Sequence, residues 1–379
     1  MIYRSQVFRV LVLAVFMTCS ATMLSQQALV LDSLSLEPIP YANLEYGTNQ
    51  GSVSNQDGII FTPKDFKDYK LSHVGYQTRK LTATQLKDTL YLKALAYNLD
   101  EVVLHNFNAK DSILKAFENI PKNFLSQPFN QEGIFRYSLK KDGKGVEMIE
   151  TDFLSYKASL EEETKTKISE VKKTEKYEPL NLLSGVAEFL NIMDPSIKNA
   201  PVLEKLKTMN FSYAGRIEND EEEIYKIDIS GEEEKDSANG HIFLNKNQLA
   251  IKEIKVEYLR NELPELTRKE PNYTTRVASF IKFNTDKNSK QFLSYAEITN
   301  DKTALFKNDS IYHFEMKGKI AFNKLIQGKN VKKFKSNYNS KKAFNKTVAK
   351  FKQKQQWTNS EMLPMTTEEL EILKDIYGN

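Results

Sequence analysis

The sequence predicts a mainly β protein of the α+β class: an N-terminal β-sandwich, then a larger domain in which a few helices cover a curved antiparallel sheet. Three observations predict this class. Short apolar runs separated by turn residues recur at intervals of roughly 8–12 residues through 28–103, as in a β-sandwich. Longer alternating runs with hairpin-length connections fill most of 131–325. Two stretches with helical spacing interrupt the strands, at 111–124 and 182–193.

The composition is that of an ordinary globular protein, and 379 residues leave room for two or three domains. Hydrophobic residues make up 40% of the chain and charged residues 27%, which excludes wholesale disorder. The net charge of +4 is too small to indicate nucleic-acid binding by the chain as a whole.

The N-terminus has the pattern of an export signal. Arg4 and Arg9 form a positive region, 10–17 is an apolar run, and 21–27 offers small and polar residues for cleavage. We therefore expect a signal peptide over 1–26 and a mature protein in the periplasm or associated with the outer membrane. The apolar run is too short to span a membrane and no later stretch is apolar enough, so we expect peripheral attachment at most.

Cys19, the one cysteine of the chain, directly follows the apolar run and allows two interpretations. It is either lipidated or discarded with the signal. The preceding residues Phe16, Met17 and Thr18 favour the second interpretation, because a lipidation site has a small residue directly before the cysteine. If Cys19 is discarded, the mature chain has no cysteine for a disulfide or for catalysis.

Turn residues divide the N-terminal region into short strands. Asp57 followed by Gly58 predicts a turn, because Gly58 adopts positive φ at little steric cost. Gly75 interrupts the run that contains His73, as a strand glycine does at a bulge or close backbone approach. Tyr76 is expected to bury its ring with the hydroxyl at the rim, and stacking on a ligand is the alternative. The strands are predicted at 29–31, 42–46, 59–61, 69–73, 90–95 and 102–104.

Three motifs of this region, in this order, resemble the carboxypeptidase regulatory-like domain. They are 37–44, 51–58 and 72–78, and 99–103 resembles the strand that ends that domain. The resemblance implies a transthyretin-like β-sandwich over 27–105, common at the N-termini of secreted and outer-membrane proteins of Bacteroidetes-type bacteria. It implies a folding, spacing or docking module without catalysis. Ala28 and Ile60 stand where the family has glycine and phenylalanine, and neither change disturbs a β core.

A helical linker is predicted over 106–130, between the two β regions. Its helix occupies 111–124, with Asp111 as the expected N-cap and Pro121 as the expected end. The apolar face consists of Ile113, Leu114, Phe117 and Ile120.

The larger domain, predicted over 131–325, begins with a hairpin. Its strands are expected at 134–139 and 146–160, around a turn at 142–145. The charged stretch 161–176 is left open as an edge strand or a mobile loop.

Helical spacing returns at 182–193, bounded by Pro179 and Pro195, and a second short helix is predicted at 200–209. A turn is expected at 239–240. The succession of strands predicts a long, curved antiparallel meander. These strands are predicted at 211–215, 224–229, 241–244, 249–259, 274–283, 291–299 and 311–322.

The strands of 240–258 resemble those of the outer-membrane lipoprotein carrier family. The resemblance implies a half-barrel of antiparallel strands with helices on the concave face, and the helix at 182–193 would be such a cover. It also implies a concavity able to hold an apolar ligand.

The C-terminal segment, 326–379, is predicted to be basic and partly helical. No acidic residue occurs from 316 to 360, where lysines alternate with aromatic residues. This segment is either a basic patch for lipopolysaccharide, anionic lipid or nucleic acid, or a solvated face whose lysines offset acidic runs elsewhere. The expected export of the protein argues against nucleic acid as the ligand of this segment. Thr366 and Glu369 form a capping box that starts a last helix with Leu370, Ile372, Leu373 and Ile376 on its apolar face. The aromatic residues are Phe334, Tyr338, Phe344, Phe351 and Trp357.

The chain contains no motif that indicates catalysis. It lacks a zinc-protease helix motif, a serine-hydrolase elbow, a phosphate loop and a dinucleotide fingerprint. The carboxylate runs 161–163 and 221–223 are expected in solvated turns or edges. The spacing of Asn55, Asp57 and Asp65 does not match a calcium loop. The four histidines are His73, His105, His241 and His313, of which all but His105 lie in predicted strands.

These observations predict no catalytic, cofactor-binding or metal-binding residue, and they leave the ligand-binding residues unknown. The first functional hypothesis is a non-catalytic exported cell-envelope protein that binds a partner protein or an apolar or glycan ligand. The alternative is an envelope hydrolase acting on glycan or peptide, with the β-sandwich as an accessory domain. The oligomeric state is left open.

Overall fold

A computed structural model describes residues 27–97, 107–174, 185–196, 200–218, 222–232, 236–338, 344–351, 353, 357 and 362–378. Several predictions concern residues outside these ranges. They are the signal peptide 1–26 with Cys19, the closing strand at 99–103, His105, Glu221 and the first residues of the helix at 182–193.

The N-terminal module consists of two small sheets that share one apolar core. Its strands are β1 (Gln27–Asp32), β2 (Asn43–Tyr46), β3 (Gln50–Val53), β4 (Ile59–Phe61), β5 (Asp68–Ser72), β6 (Arg79–Thr82) and β7 (Thr89–Leu92). One sheet has the order β4-β1-β7, with β1 and β7 parallel. The other has the order β3-β2-β5-β6. Between them lie Ala28, Val30, Leu44, Tyr46, Ile60, Tyr69, Leu71, Leu81, Leu90 and Leu92, all buried.

His73 does not lie in a strand as predicted. Strand β5 ends at Ser72, and the backbone N–H of Tyr76 donates to the carbonyl of His73 across a turn. Gly75 permits this turn because its φ is +90°, a conformation that favours glycine. Tyr76 packs its half-buried ring against the module core, in agreement with the packing interpretation.

The linker and the first hairpin follow the module. They contain α1 (Ala109–Glu118), α2 (Ile120–Asn123), β8 (Phe129–Lys141), β9 (Lys144–Lys157) and β10 (Lys165–Lys173). The predicted cap was wrong: Asn108 caps α1 by accepting from the N–H of Asp111 at 3.0 Å. The predicted end was also wrong, because Pro121 lies in the first turn of α2, where its missing N–H costs nothing.

The larger domain is one long antiparallel sheet. Its further elements are α3 (Val186–Met193), α4 (Pro201–Leu206), β11 (Asn210–Glu218), β12 (Glu223–Glu232), β13 (Asp236–Asn245), β14 (Ile251–Arg260), β15 (Asn272–Thr285), β16 (Gln291–Leu305) and β17 (Ile311–Gln327). Strands β11 to β17 pair consecutively, β8 then pairs with β17, and β9 and β10 follow. A single register pair between Lys324 of β17 and Gln50 of β3 joins the module to this sheet. The predicted mainly β, α+β class with a curled antiparallel sheet is therefore confirmed.

The turn predicted at 239–240 is wrong. Gly240 lies within β13 and pairs with Val256 of β14. A Cβ atom at Gly240 would lie 2.0 Å from the carbonyl oxygen of Lys255, so the glycine allows close approach of two strands and does not mark a turn.

One face of the sheet is covered by helices. Buried apolar side chains from α1, α3 and α4 pack on alternate residues of the strands, as the covering role of the helix at 182–193 predicts. Of the aromatic residues in the basic segment, Tyr338 and Phe344 are buried in this same core and do not form a surface patch. The C-terminal helices are α5 (Phe344–Val348) and α6 (Thr367–Tyr377).

Of the two structures left open for the charged stretch at 161–176, the edge strand is present. Residues 161–163 form an exposed turn, and β10 is a strand at the end of the sheet. The side chain of Asn337 bonds both backbone groups of Ile168 in β10, with distances of 2.7 and 2.9 Å. Among the helices that the structure describes, none has the length and apolar character of a membrane span.

Candidate functional site

The outer face of the sheet, opposite α1, α3 and α4, carries rows of mainly polar side chains in register across the strands. One row crosses nine strands because alternation with period two sends every second residue of each strand to this face. In order from β12 to β10 it consists of Asp228, His241, Lys255, Phe280, Glu297, Lys319, Arg136, Glu150 and Lys172. A parallel row, from β12 to β8, consists of Ser230, Asn239, Glu257, Ala278, Thr299, Lys317 and Ser138.

Arg136 is the centre of a buried charge network at one end of the long row. Its Nε lies 2.7 Å from Oε2 of Glu150, and its Nη1 lies 2.8 Å from Oε2 of Glu369 in α6. Its Nη2 donates to the carbonyl of Leu363 at 2.7 Å. A buried guanidinium has five N–H donors, and each of them needs an acceptor. The acceptors of Arg136 belong to β9 and to α6 and the residues before it, so the network holds α6 against β8 and β9.

Glu369 combines a structural cap with two ion pairs. It is the capping-box glutamate of α6 and accepts from the N–H of Thr366 at 2.8 Å, as predicted. Its Oε1 lies 2.6 Å from Nζ of Lys319. Burial alone would raise the pKa of Glu369, but the charges of Arg136 and Lys319 lower it to about 2.

The module contacts α6 through the turn between β3 and β4. Asp57 Oδ2 accepts from the backbone N–H of Thr367 at 2.6 Å, and Asn55 donates to the carbonyl of Met365 at 3.1 Å. Asp65, in contrast, is exposed. Asn55 and Asp57 therefore serve to hold the first turn of α6, which benefits from an anion near its N-terminus.

Between the module and α6 the outer face remains open as a cleft of about 830 Å³. Tyr41 and Gln56 of the module and Glu368 of α6 line its sides. The members of the two rows on β12 to β16, together with Lys317, form the floor. Its lining includes Asp228, Ser230, Asn239, His241, Lys255, Glu257, Arg276, Ser279, Phe280, Glu297, Thr299, Glu315 and Lys317. We refer to this space as the outer cleft.

Ion pairs and hydrogen bonds fix the charged side chains of the outer cleft. Arg276 Nε lies 2.5 Å from Glu257, and Lys317 lies 2.6 Å from Glu368. Glu297 accepts from the hydroxyl of Tyr295 at 2.7 Å. Lys255 is exposed, and no ion pair is seen for it among the described residues. Apart from Lys255, the charged side chains named here are therefore held in place before a ligand binds, and they include both signs of charge.

Two of the four histidines lie near Glu253, beside the outer cleft. His241 Nε2 lies 3.7 Å from Oε1 of Glu253, and His73 of the module interacts electrostatically with the same carboxylate when it is protonated. Burial lowers the pKa of His73 to about 4 and that of Lys282 to about 8. Lys282 donates to the carbonyl of Tyr41. Within the described part of the chain no three His, Cys, Asp or Glu residues are arranged to hold a metal ion.

His313, the remaining described histidine, lies away from this group and contacts Thr303, with Nδ1 and Oγ1 3.0 Å apart. Of the predicted acidic runs, Glu222 and Glu223 bond the side chains of Asn245 and Lys246 at 2.7 and 2.8 Å. These side chains stabilise the ends of β12 and β13 and do not line the outer cleft.

On the helix-covered side, residues of α1, α2 and α4, among them Leu114, Phe117, Ile120 and Leu203, line an open pocket of about 500 Å³. The gap lined by Phe129, Leu190 and Phe322 measures about 10 Å³, too small for even a short acyl chain. The resemblance to lipoprotein carriers implies an apolar ligand in the concavity of the sheet. This gap is too small to hold one.

The sequence pattern did not identify the outer cleft. The signal was nevertheless present, because Lys255 and Glu257 in β14 alternate with the buried residues Ile254 and Val256. The strand register determines which residues of other strands, such as Glu297, lie near these two. Alternation along a single strand does not predict that register.

Comparison with known proteins gives little further information. No family model matches the chain. No curated protein matches it. Among solved structures, it is similar to a DUF1329 family protein from Desulfovibrio piger ATCC 29098, with 9% identity and a TM-score of 0.28, over 60% of this chain and 96% of that one. It is also similar to lipovitellin, with 9% identity and a TM-score of 0.26, over 56% of this chain and 27% of that one.

At these TM-scores neither structure carries an argument about the ligand. The resemblance of 37–78 to the carboxypeptidase regulatory-like domain has no support from the comparisons and stays a prediction. The same holds for the division into domains at 27–105, 106–130, 131–325 and 326–379.

Proposed function

We propose that the protein is a non-catalytic, exported cell-envelope protein that binds a glycan in the outer cleft. The observation that carries this proposal is the floor of the cleft, where carboxylates, amides, hydroxyls and cations lie side by side in two rows. The export signal predicted over 1–26 supports the location.

The mixture of groups favours a glycan over a ligand of one charge. Every sugar hydroxyl both donates and accepts, so a sugar chain needs acceptors and donors at close intervals. The cleft offers five carboxylates and three basic side chains, together with Asn239, Ser230 and Thr299. The opposite charges of Glu257 and Arg276 offset each other, so this pair selects neither an anionic nor a cationic ligand.

The state of the cleft carboxylates supports binding without catalysis. A general acid needs a pKa near the working pH. Lys140 and Lys317 lower the pKa of Glu368 to about 2 against the opposing effect of burial, so Glu368 stays ionised near neutral pH. Glu257 is bound to Arg276.

Calorimetric titration of the purified protein with oligosaccharides from cell-wall and lipopolysaccharide glycans tests the proposal. We expect binding to at least one glycan, weakened about tenfold by Asn239→Ala or Lys255→Ala, since each removes polar contacts to the ligand. Lys329→Ala, at an exposed lysine outside the cleft, is the matched control.

Three results would overturn the proposal. The first is the absence of binding to every glycan tested, and the second is binding that the cleft variants leave unchanged. The third is release of shorter glycans during incubation, which would support the hydrolase alternative.

A further inference from the structure

We propose that the outer cleft binds a linear, unbranched glycan that lies across the strands, with about one six-membered sugar ring over each strand from β12 to β17. Glycan binding itself is the proposed function on which this inference rests, and the class of glycan is what it adds. Three features of the cleft support it: the direction in which the cleft runs, its length, and the spacing of the side chains along its floor.

The outer cleft runs across the strands because the N-terminal module bounds it in that direction. Tyr97 of the module lies against β12, with its ring centroid 5.9 Å from Nζ of Lys226. Tyr41 stacks on Phe280 of β15, with 3.9 Å between the ring centroids, and Gln56 donates to a carboxylate of β16 at 2.5 Å. These contacts lie on the row that contains Phe280 or on the side of it away from the parallel row. The module therefore bounds one side of the cleft over β12 to β16, and the parallel row lies along the floor beside it.

The cleft is long in the direction that crosses the strands and short along them. Its lining takes residues from six adjacent strands, β12 to β17. The five spacings between these strands, of about 4.8 Å each, give a length of about 24 Å. The two rows of the floor are two residues apart along each strand, which is about 6.7 Å. This shape suits a single extended chain, whereas a branched glycan would extend beyond the two rows.

The parallel row places one side chain of each strand along the floor. Its members on β12 to β17 are Ser230, Asn239, Glu257, Ala278, Thr299 and Lys317. All of them except Ala278 carry a group that can hydrogen-bond to a sugar hydroxyl. At Ala278, on β15, only an apolar contact with the C–H groups of a ring is possible. Each ring of a chain that crosses the strands therefore meets one member of the row.

The spacing of the row favours a sugar chain over an extended peptide. Six-membered rings that are joined through opposite ring positions, as in cellulose and chitin, advance by roughly one strand spacing per ring. Successive rings can therefore meet successive strands. An extended peptide advances about 3.3 Å per residue, so side chains on one of its faces are about 6.7 Å apart and do not stay in step with strands about 4.8 Å apart.

Calorimetric titration with oligosaccharides of increasing length tests the inference. The probes are three series of one to six rings: cello-oligosaccharides, chito-oligosaccharides and β-linked manno-oligosaccharides. For at least one series we expect the affinity to rise at least about tenfold between two and six rings, because each added ring reaches hydrogen-bonding groups of a further strand. Isomalto-oligosaccharides are the control ligands. Their rings are joined through an exocyclic carbon and do not keep the strand spacing, so their affinity should not rise in this way.

Two substitutions far apart in the parallel row measure the length of the bound chain. Ser230 on β12 and Thr299 on β16 are separated by four strand spacings, about 19 Å. Ser230→Ala and Thr299→Val should each weaken binding of the six-ring chain about threefold to tenfold, because each removes a hydrogen-bonding group. A three-ring chain crosses only three strands, so at most one of the two substitutions should weaken its binding. Ser237→Ala, which removes a hydroxyl of β13 outside the lining of the cleft, is the matched control and should change neither affinity.

Several results would overturn the inference and leave the proposed function intact. They are an affinity that does not rise with length, weaker binding of the three-ring chain in both variants, and six-ring binding that neither variant weakens. A protein that binds none of the three series, but binds another glycan through Asn239 and Lys255, would also overturn it. The absence of binding to every glycan would instead overturn the proposed function together with this inference.

Discussion

Arg136 of β8 and Glu369 of α6 form an ion pair with 2.8 Å between Nη1 and Oε2, and both side chains are fully buried. The pair connects the outer face of the sheet to the helix at one end of the outer cleft. Because Glu369 also caps α6, one carboxylate determines both where the helix starts and where it lies.

Glu369→Gln should destabilise the protein by about 3 kcal/mol, because it leaves the charges of Arg136 and Lys319 buried without their carboxylate. Chemical denaturation at pH 7 measures the change. Glu371→Gln, at an exposed position of the same helix, should alter the free energy of unfolding by less than about 0.5 kcal/mol. Equal effects of the two substitutions would contradict the role given to Glu369.

The stability should also fall with pH in a defined window. The pKa of Glu369 is about 2 in the folded protein and near its ordinary 4.5 in the unfolded chain, so unfolding takes up a proton between these values. Its contribution, roughly 3 kcal/mol, is complete above pH 4.5 and is lost as the pH falls toward 2. In Glu369→Gln the free energy of unfolding should change less steeply with pH between these values. A pH dependence as steep as that of the parent protein would refute the assignment.

Gly145→Val should displace α6. A Cβ atom at Gly145 would lie 2.7 Å from Cα of Ile372, and neither backbone can move freely. We expect a loss of about 1–3 kcal/mol and faster amide exchange in α6. Gly143→Asn, in the turn directly before β9, is the control, since nothing lies within 4 Å of that Cβ position and asparagine tolerates its positive φ. If Gly145→Val left the amide exchange rates of α6 unchanged, the position of α6 would not depend on this contact.

Asp57→Ala should cost about 1 kcal/mol, because the N–H and hydroxyl of Thr367 lose their acceptor at the start of α6. Thermal unfolding measures the loss, and Asp65→Ala at an exposed residue serves as the control. Calcium should leave the midpoint of the parent protein unchanged. A rise in midpoint with calcium that Asp57→Ala abolishes would instead favour a metal site.

The strands were predictable from sequence where one face is apolar, as in β14 with Ile254 and Val256. The prediction failed at Gly240, because a glycine that permits close strand approach has the same local pattern as one in a turn. Asn108 was missed as a cap since Asp111 offers an equally good local signal.

The outer cleft could not be predicted for a different reason. Lys255 and Glu297 are 42 positions apart and become neighbours across Phe280 only through the register of β14, β15 and β16. The ion pair of Arg136 with Glu369 likewise depends on contacts across 233 positions. Local periodicity contains no information on such pairs, whereas the capping box of Thr366 and Glu369 is local and was predicted.

A crystal structure of the protein with the tightest-binding glycan would locate the binding site. We expect sugar density over β13 to β16, in contact with Asn239 and Lys255 and bounded by Tyr41 and Glu368. Sugar density at any other place, with the outer cleft filled by solvent alone, would contradict it.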